Sequence, residues 1–127
     1  MLHSRTGLLW IACGLLALAC AVERAVPAGL HGRWVSEDAR FAGRELEIGA
    51  RSVRFLDGNS ELDAIVVRAV DHQGAGGPAE RVVIHGTARD ASPVDLAFEL
   101  RTRPVEQLRL ETQNVAWRRA APQRVKP

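Results

Sequence analysis

Side chains that could take part in catalysis or metal binding are few in this sequence of 127 residues. Three histidines follow residue 30, namely His31, His72 and His85, and their spacing matches no common metal-binding motif. No G-x-S-x-G, H-E-x-x-H or P-loop pattern occurs, and the serines have no obvious histidine partner. Paired carboxylates lie in charged surroundings that are typical of a solvated surface. We therefore expect no enzyme, no metal site and no cofactor.

The first 19 residues predict an export signal. Residues 1–5 carry positive charge, and the uncharged, apolar run 7–19 fits the central region of a signal peptide. This run is shorter than the ~20 apolar residues that a membrane-spanning helix needs. We expect residues 1–19 to be a signal helix that is removed from the mature protein.

Cys20 ends the apolar run and directly follows the sequence Leu16-Ala17-Leu18-Ala19. These five residues resemble the lipobox of bacterial lipoproteins. The resemblance implies that the Cys20 thiol receives a diacylglyceryl group, that the signal is cut before Cys20, and that the new amine is acylated. Two or three acyl chains anchor a protein stably, whereas one chain alone is marginal. Because Ala21 is not the aspartate that retains such proteins at the inner membrane, the resemblance implies the periplasmic face of the outer membrane, given a Gram-negative source.

Two other interpretations of Cys20 stay open. Ala19-Cys20-Ala21 also satisfies the A-x-A cleavage rule, so cleavage after Ala21 would release a soluble periplasmic protein. Alternatively, Cys20 is an apolar residue of the signal, as Cys13 is expected to be. No cysteine follows Cys20, so the exported domain has neither a disulfide nor a thiol nucleophile of its own. Residues 20–30 are expected to form the lipidated cysteine and a short tether.

Residues 31–120 predict an all-β domain, with a flexible tail over residues 121–127. Apolar and polar residues alternate from Val94 to Arg101, which is the pattern of a half-buried strand. Leu62 to Val70 alternates less strictly and is expected to be bent or covered on both sides. Gly86 is expected to mark a bulge or a close approach. About eight short strands separated by turn residues predict an antiparallel meander, closed into a small barrel or folded as a sandwich.

The predicted domain opens with Gly32-Arg33-Trp34, and its last predicted strand contains Trp117-Arg118-Arg119. A G-x-W sequence on the first strand resembles the lipocalin-like (calycin) barrels. In those barrels the tryptophan closes the base and stacks with an arginine of the last strand. The resemblance implies that Trp34 and Arg119 form this pair through a cation–π contact. The alternative is that Trp34 and Trp117 are ordinary core aromatics.

A glycine-rich stretch from Asp71 to Pro78 is expected to be a mobile hairpin loop. It contains the candidate partner-binding residues His72, Gly74, Gly76 and Gly77. A phosphate cradle would need a helix N-terminus behind the loop, but the residues from Glu80 onward predict a strand. Partner contact is therefore the role we expect for it.

Charge and composition favour some functions over others. The formal net charge is only +2, and acids and arginines are interleaved, so we expect no nucleic-acid partner. Three functions remain. The first is an exported, lipid-anchored, non-catalytic binding or interaction module that contacts the membrane through Cys20 and meets another envelope protein. The second is a carrier or sensor of a small apolar ligand held in the barrel. The third is an inhibitor of a periplasmic hydrolase, with residues 21–29 as its inserting segment.

We predict that the protein isolated from a bacterial membrane fraction begins at Cys20 and carries added acyl mass, because Cys20 occupies the lipidated position of the lipobox. Intact mass spectrometry measures both properties at once. The Cys20→Ala variant is the control and is expected to lose the added mass. A chain that begins at Val22 with no added mass would contradict the prediction.

Overall fold

The protein forms one closed, antiparallel β-barrel in a computed structural model that describes residues 23–121. The eight strands are β1 (Gly32–Ser36), β2 (Arg44–Ile48), β3 (Ser52–Asp57), β4 (Ser60–Gln73), β5 (Ala79–Thr87), β6 (Pro93–Arg101), β7 (Gln107–Leu110) and β8 (Val115–Arg119). Each strand pairs with the next one in the chain, and β8 returns to pair with β1 through Trp34 opposite Arg119. The predicted all-β meander barrel is confirmed, and the sandwich alternative is wrong because this last pairing leaves a single closed sheet.

Helical structure in residues 23–121 is limited to two turns of 3-10 helix, Ala28–Leu30 and Ala39–Phe41. Asp38 caps the second turn, since its carboxylate accepts the backbone N–H of Arg40 at 2.9 Å. Across the described part of the chain, no helix is long and apolar enough to cross a membrane. The predicted signal helix, Cys20 and the predicted tail beyond Ala121 lie outside the described residues.

The core consists of the inward-facing side chains of the strands. On β6, Leu96, Phe98 and Leu100 are buried while their neighbours in sequence are more exposed, as the alternation from Val94 to Arg101 predicts. On β5, Val82 and Ile84 face the same interior and are fully buried. Burial of such apolar surface is the dominant favourable term in folding, so this alternation determines the register of each strand.

The longest strand, β4, is bent at Arg68. Its register with β5 shifts between Val67 and Ala69, which is the signature of a β-bulge. The bend expected from Leu62 to Val70 is thereby confirmed. β4 also extends past the start of β3, because Ser52 already pairs with Val66 and the residues of β4 beyond it have no partner on that side from β3.

The N-terminal segment 23–31 occupies this vacant edge and then crosses one end of the barrel. Glu23 forms a bridge with Val70, whose N–H donates to the Glu23 carbonyl at 2.8 Å. The N–H of Val26 donates to the Ala50 carbonyl at 2.8 Å, and Val26 and Leu30 are 3% and 0% exposed. The tether predicted over residues 20–30 is therefore wrong for residues 23–30, which belong to the domain because two of their apolar side chains complete the core.

The two ends of the barrel differ, and we name them accordingly. The closed end is the one that the segment 23–31 crosses, and it also contains the connections 49–51, 74–78 and 102–106. The open end is the opposite one and contains the connections 37–43, 58–59, 88–92 and 111–114.

Ion pairs between neighbouring strands cover much of the outer wall. Arg54 of β3 contacts Glu47 of β2 and Glu61 of β4, each at 2.9 Å. Exposed pairs of this kind contribute only ~0–1 kcal/mol each, so they favour the register without dominating stability.

We predict that Gly86→Ala lowers the free energy of unfolding by about 1–3 kcal/mol, because overpacking a filled core forces its neighbours to move. A Cβ at Gly86 would lie 2.5 Å from Ile65 Cγ2 and 2.6 Å from the Val66 carbonyl oxygen. Urea unfolding followed by tryptophan fluorescence measures the change. Gly49→Ala is the control, since its Cβ would meet Ser52 Oγ at 3.6 Å, an ordinary contact. Equal stability of the two variants would contradict the prediction.

Candidate functional site

Trp34 and Arg119 meet at the closed end. The Arg119 guanidinium carbon lies 4.3 Å from the centroid of the Trp34 ring, within the range of a cation–π contact. Trp34 is completely buried, and its indole N–H donates to the Leu30 carbonyl at 3.0 Å. The contact that the calycin resemblance implies is present in the structure.

Arg119 also joins β8 to the segment 23–31 and to the connection 102–106 through hydrogen bonds. Its Nη1 donates to the His31 carbonyl at 2.6 Å, and its Nη2 donates to the Gly29 carbonyl at 2.9 Å. Its Nε donates to the Glu106 carboxylate at 2.7 Å. Gly32 has a φ of +129°, and a Cβ there would lie 2.8 Å from Arg119 Nη1. The positive φ and the close approach of the guanidinium both favour glycine at this position of the G-x-W sequence. The contacts of Arg119 serve to close this end of the barrel.

The predicted partner loop is shorter than expected. β4 continues to Gln73, which pairs with Arg81, so Asp71 and His72 lie in a strand and the loop is 74–78. His72 Nε2 lies 2.9 Å from a carboxylate oxygen of Glu80. The other oxygen of Glu80 accepts the Gly76 N–H at 3.2 Å. The hydrogen bond with His72, followed by that from Gly76, lowers the pKa of Glu80.

The loop glycines have conformational roles. Gly74 and Gly76 adopt φ values of +74° and +81°, and the Gly77 N–H donates to the Gly74 carbonyl at 2.9 Å. Such positive φ values favour glycine over any residue with a Cβ. The turn therefore explains Gly74 and Gly76 by their φ values, and a Cβ at Gly77 would lie only 3.2 Å from the Gly74 carbonyl oxygen. The one contact between a loop glycine and a candidate functional side chain within residues 23–121 is the hydrogen bond from Gly76 to Glu80.

His85 bridges two carboxylates on the outer wall. Its Nδ1 lies 2.7 Å from Asp95 and its Nε2 lies 2.8 Å from Asp71, so the ring links β4, β5 and β6. These hydrogen bonds, the one with Asp71 first, raise the pKa of His85. The expectation of a satisfied surface histidine is confirmed. Since the carboxylates contact opposite edges of the ring, they do not converge on one point, and residues 23–121 contain no group of three ligands placed to hold a metal ion.

A cup of about 330 Å³ lies at the open end, and we define it by its lining. Most of the lining is apolar: Phe41, Phe55, Leu56, Leu62, Ile65, Val94, Leu96 and Trp117. The 3-10 turn Ala39–Phe41 brings Phe41 to one side, where its ring lies 6.5 Å from that of Trp117. Ile65 and Leu96 come from inward positions of β4 and β6, the same positions that fill the core farther down.

Two residues that line this cup have a buried side-chain atom without a hydrogen-bond partner among residues 23–121, namely Trp117 and Glu45. The Glu45 oxygen lies 3.4 Å from the Arg33 guanidinium, so its charge is compensated. The indole N–H of Trp117 is buried and has no hydrogen-bond acceptor among residues 23–121. A buried donor without an acceptor costs ~1–3 kcal/mol. An acceptor atom on a molecule that enters the cup is one way to recover that cost.

Charged and polar side chains line the rest of the cup: Arg44, Glu45, Asp63 and Gln113. Arg44 is itself held near Asp57 at 3.8 Å and over the Phe41 ring at 5.9 Å. An apolar interior bounded by a few polar groups is the usual form of a small-molecule site.

The sequence suggested a small apolar ligand in the barrel as one alternative, but it did not indicate which residues line this cup. Trp117 was expected as a core aromatic, and Leu62 and Val94 were expected to be ordinary strand residues. An inward position at the rim has the same alternation as one in the packed core, so periodicity cannot tell the two apart. One feature of the sequence does indicate the cup. Phe41 lies in a connection between strands, where a large apolar side chain is expected to pack over the end of the barrel.

No protein-family model matches the chain, and searches of curated proteins and of solved structures find no match either. The resemblances to bacterial lipoproteins and to calycin barrels therefore stay predictions. Function has to be inferred from the geometry of the barrel and its cup.

We predict that Arg119→Lys lowers the free energy of unfolding by about 1–3 kcal/mol, because lysine retains the charge but lacks the planar guanidinium that donates to two carbonyls and to Glu106. Urea unfolding measures the loss. Arg118→Lys is the matched control on the same strand, since Arg118 makes one exposed ion pair with Glu37 at 3.4 Å. That variant is expected to change stability by less than ~0.5 kcal/mol. Similar losses of unfolding free energy in both variants would contradict the prediction, because the contacts of Arg119 would then contribute no more than the exposed ion pair of Arg118.

Proposed function

We propose that this protein is an exported, lipid-anchored and non-catalytic binding module of the bacterial cell envelope, and that the cup at the open end binds a small apolar ligand. The observation that carries the ligand-binding part is the cup itself, an apolar cavity with an unpartnered donor. Export and anchoring rest on the sequence around Cys20.

The size of the cup supports a small ligand. At about 330 Å³ it lies near the lower end of the ~300–1,000 Å³ that small-molecule pockets occupy. Below it, the barrel is filled by fully buried side chains such as Phe98 and Leu108, so a long acyl chain has no room to extend toward the closed end. The ligand class that fits best is a compact, mainly hydrocarbon molecule.

The polar atoms of the cup narrow this class further. The Trp117 N–H calls for a single hydrogen-bond acceptor, such as a carbonyl or ether oxygen. Of the charged residues that line the cup, Arg44 and Glu45 are ion-paired with Asp57 and Arg33. Asp63 has no cationic partner within residues 23–121, and its negative charge disfavours a ligand that is itself an anion. We therefore propose a neutral apolar ligand with one acceptor.

The alternatives expected from the sequence receive less support. An inhibitor was expected to insert residues 21–29 into a hydrolase, but the described part of that segment, from Glu23 onward, is packed on the barrel and has Val26 buried. An envelope protein partner remains a prediction of the sequence, and the cup gives the small-ligand function the stronger support.

We predict that Trp117→Phe weakens binding of 2-acetylnaphthalene about three- to tenfold, the effect of one neutral hydrogen bond, while leaving naphthalene binding nearly unchanged. The phenyl ring retains an apolar surface in the cup, so only the ligand with an acceptor is penalised. Equilibrium dialysis with each compound measures the two dissociation constants.

A second pair of variants tests the location of the site. Leu62→Trp adds bulk at the cup, whereas Val66→Trp adds it on the outer wall of the same strand. The two residues are similarly exposed, at 48% and 50%. Leu62→Trp is expected to abolish binding of both compounds and Val66→Trp to leave it intact. Absence of binding to the unmodified protein, or equal effects of the two variants, would refute the cup as the site.

A further inference from the structure

We infer that the closed end of the barrel is a membrane-facing surface that rests on anionic phospholipid, with the connection 102–106 at the bilayer interface. This inference rests on the proposed lipid anchor at Cys20. It goes beyond the anchor because it assigns an orientation and a contact surface to the folded domain.

The chain between the anchor and the barrel is short. Glu23 is fixed on the edge of β4 at the closed end by its bridge to Val70. Two residues, Ala21 and Val22, separate it from Cys20, and the three Cα–Cα steps between Cys20 and Glu23 span at most about 11 Å even when fully extended. An anchored Cys20 therefore keeps the closed end near the bilayer surface.

The closed end carries an exposed apolar side chain. Val105 is 71% exposed, more than Leu62 at the cup or Val66 on the wall, which are about half exposed. Its neighbour Pro104 is exposed as well. Transfer of these side chains into the headgroup region would remove apolar surface from water.

The closed end also carries arginines without carboxylate partners in the described range. Arg24, Arg51 and Arg103 are exposed, and each lies in a segment of the closed end. Within residues 23–121, none of the three has a carboxylate at ion-pair distance, whereas most arginines of the wall do.

Acids at this end offset the arginines only in part. Glu106 is paired with Arg119, whereas Glu23 has no cationic partner in the described range and Glu80 is hydrogen-bonded to His72, which is a cation only when protonated. Three arginines without a carboxylate partner thus stand against two acids. Unpaired arginines next to a bilayer are attracted by the negative potential of its anionic lipids.

A groove of about 440 Å³ lies beside Val105. Its lining consists of Glu37, Arg101, Arg103, Pro104, Val105, Glu106, Gln107 and Arg118. Arg101 is paired with Glu99 and Arg118 with Glu37, so Arg103 is the arginine of the groove without a carboxylate partner in residues 23–121. A planar guanidinium suits the oxygens of a phosphate group, and the adjoining apolar side chains suit the region below it. This combination favours a lipid headgroup over a purely electrostatic or a purely apolar partner.

The orientation has a direct consequence for the cup. With the closed end on the bilayer, the open end points away from the membrane, so a ligand enters from the aqueous side.

The test uses the acylated protein on vesicles, with a nitrobenzoxadiazole fluorophore on a single cysteine introduced at position 105. The mature chain has no free thiol once Cys20 is acylated, so labelling is specific. The matched control is the same fluorophore at Asn59→Cys, an exposed position in the turn 58–59 of the open end. Vesicles of phosphatidylethanolamine, with or without phosphatidylglycerol, contain a phospholipid with a nitroxide quencher high on its acyl chain.

We expect quenching at position 105 to be several-fold greater than at position 59 on vesicles with phosphatidylglycerol. We expect this quenching to fall when phosphatidylglycerol is omitted and when Arg103→Glu is added to the Val105→Cys protein. Equal quenching at positions 105 and 59 on protein that is acylated and floats with the vesicles would overturn the inference while leaving the anchor intact. The inference would also be overturned if quenching at position 105 stayed the same both when phosphatidylglycerol is omitted and when Arg103→Glu is added. Protein without acyl mass would refute the anchor and this inference together, and ligand binding in the cup is measured independently of both.

Discussion

The stack of the Arg119 guanidinium on the Trp34 indole is the contact on which the rest of the barrel depends. It joins the last strand to the first, and the same guanidinium donates to carbonyls of the segment that crosses the closed end. A sheet with exposed edges is a liability, and closing the barrel removes them. Val26 and Leu30 of that segment are buried and belong to the same core cluster as Trp34.

The barrel is consequently packed at one end and hollow at the other. At the closed end, a large indole and two aliphatic side chains occupy the interior, and the partly exposed guanidinium of Arg119 covers the indole. At the open end, the inward positions are lined by side chains that leave about 330 Å³ between them. Substitutions in a tightly packed interior are destabilising, whereas the lining of an open cup tolerates them better. Different residues of this barrel therefore determine its stability and its binding.

The sequence predicted the features that depend on local pattern and missed those that depend on tertiary contacts. The alternation from Val94 to Arg101, the bend of β4 and the close approach at Gly86 all express properties of single strands, and they were predictable. The segment 23–30 was not, because Pro27 and Gly29 are typical of a linker and the burial of Val26 depends on an end of the barrel formed by distant residues. The strand position of His72 was missed for a related reason, since it depends on pairing between Gln73 and Arg81 across a glycine-rich turn. The cup could not be predicted because inward alternation is the same whether a side chain meets a neighbour or a void.

Closure between the first and last strands also determines when this chain can fold. Arg119 and His31 are separated by 88 positions, so their contact requires almost the whole domain to be present. Contacts between such distant positions form late and slowly. A chain that is threaded N-terminus first through a narrow channel cannot close this barrel until Arg119 has emerged on the far side. For the proposed export, this means that a barrel formed on the far side closes only after β8 has crossed.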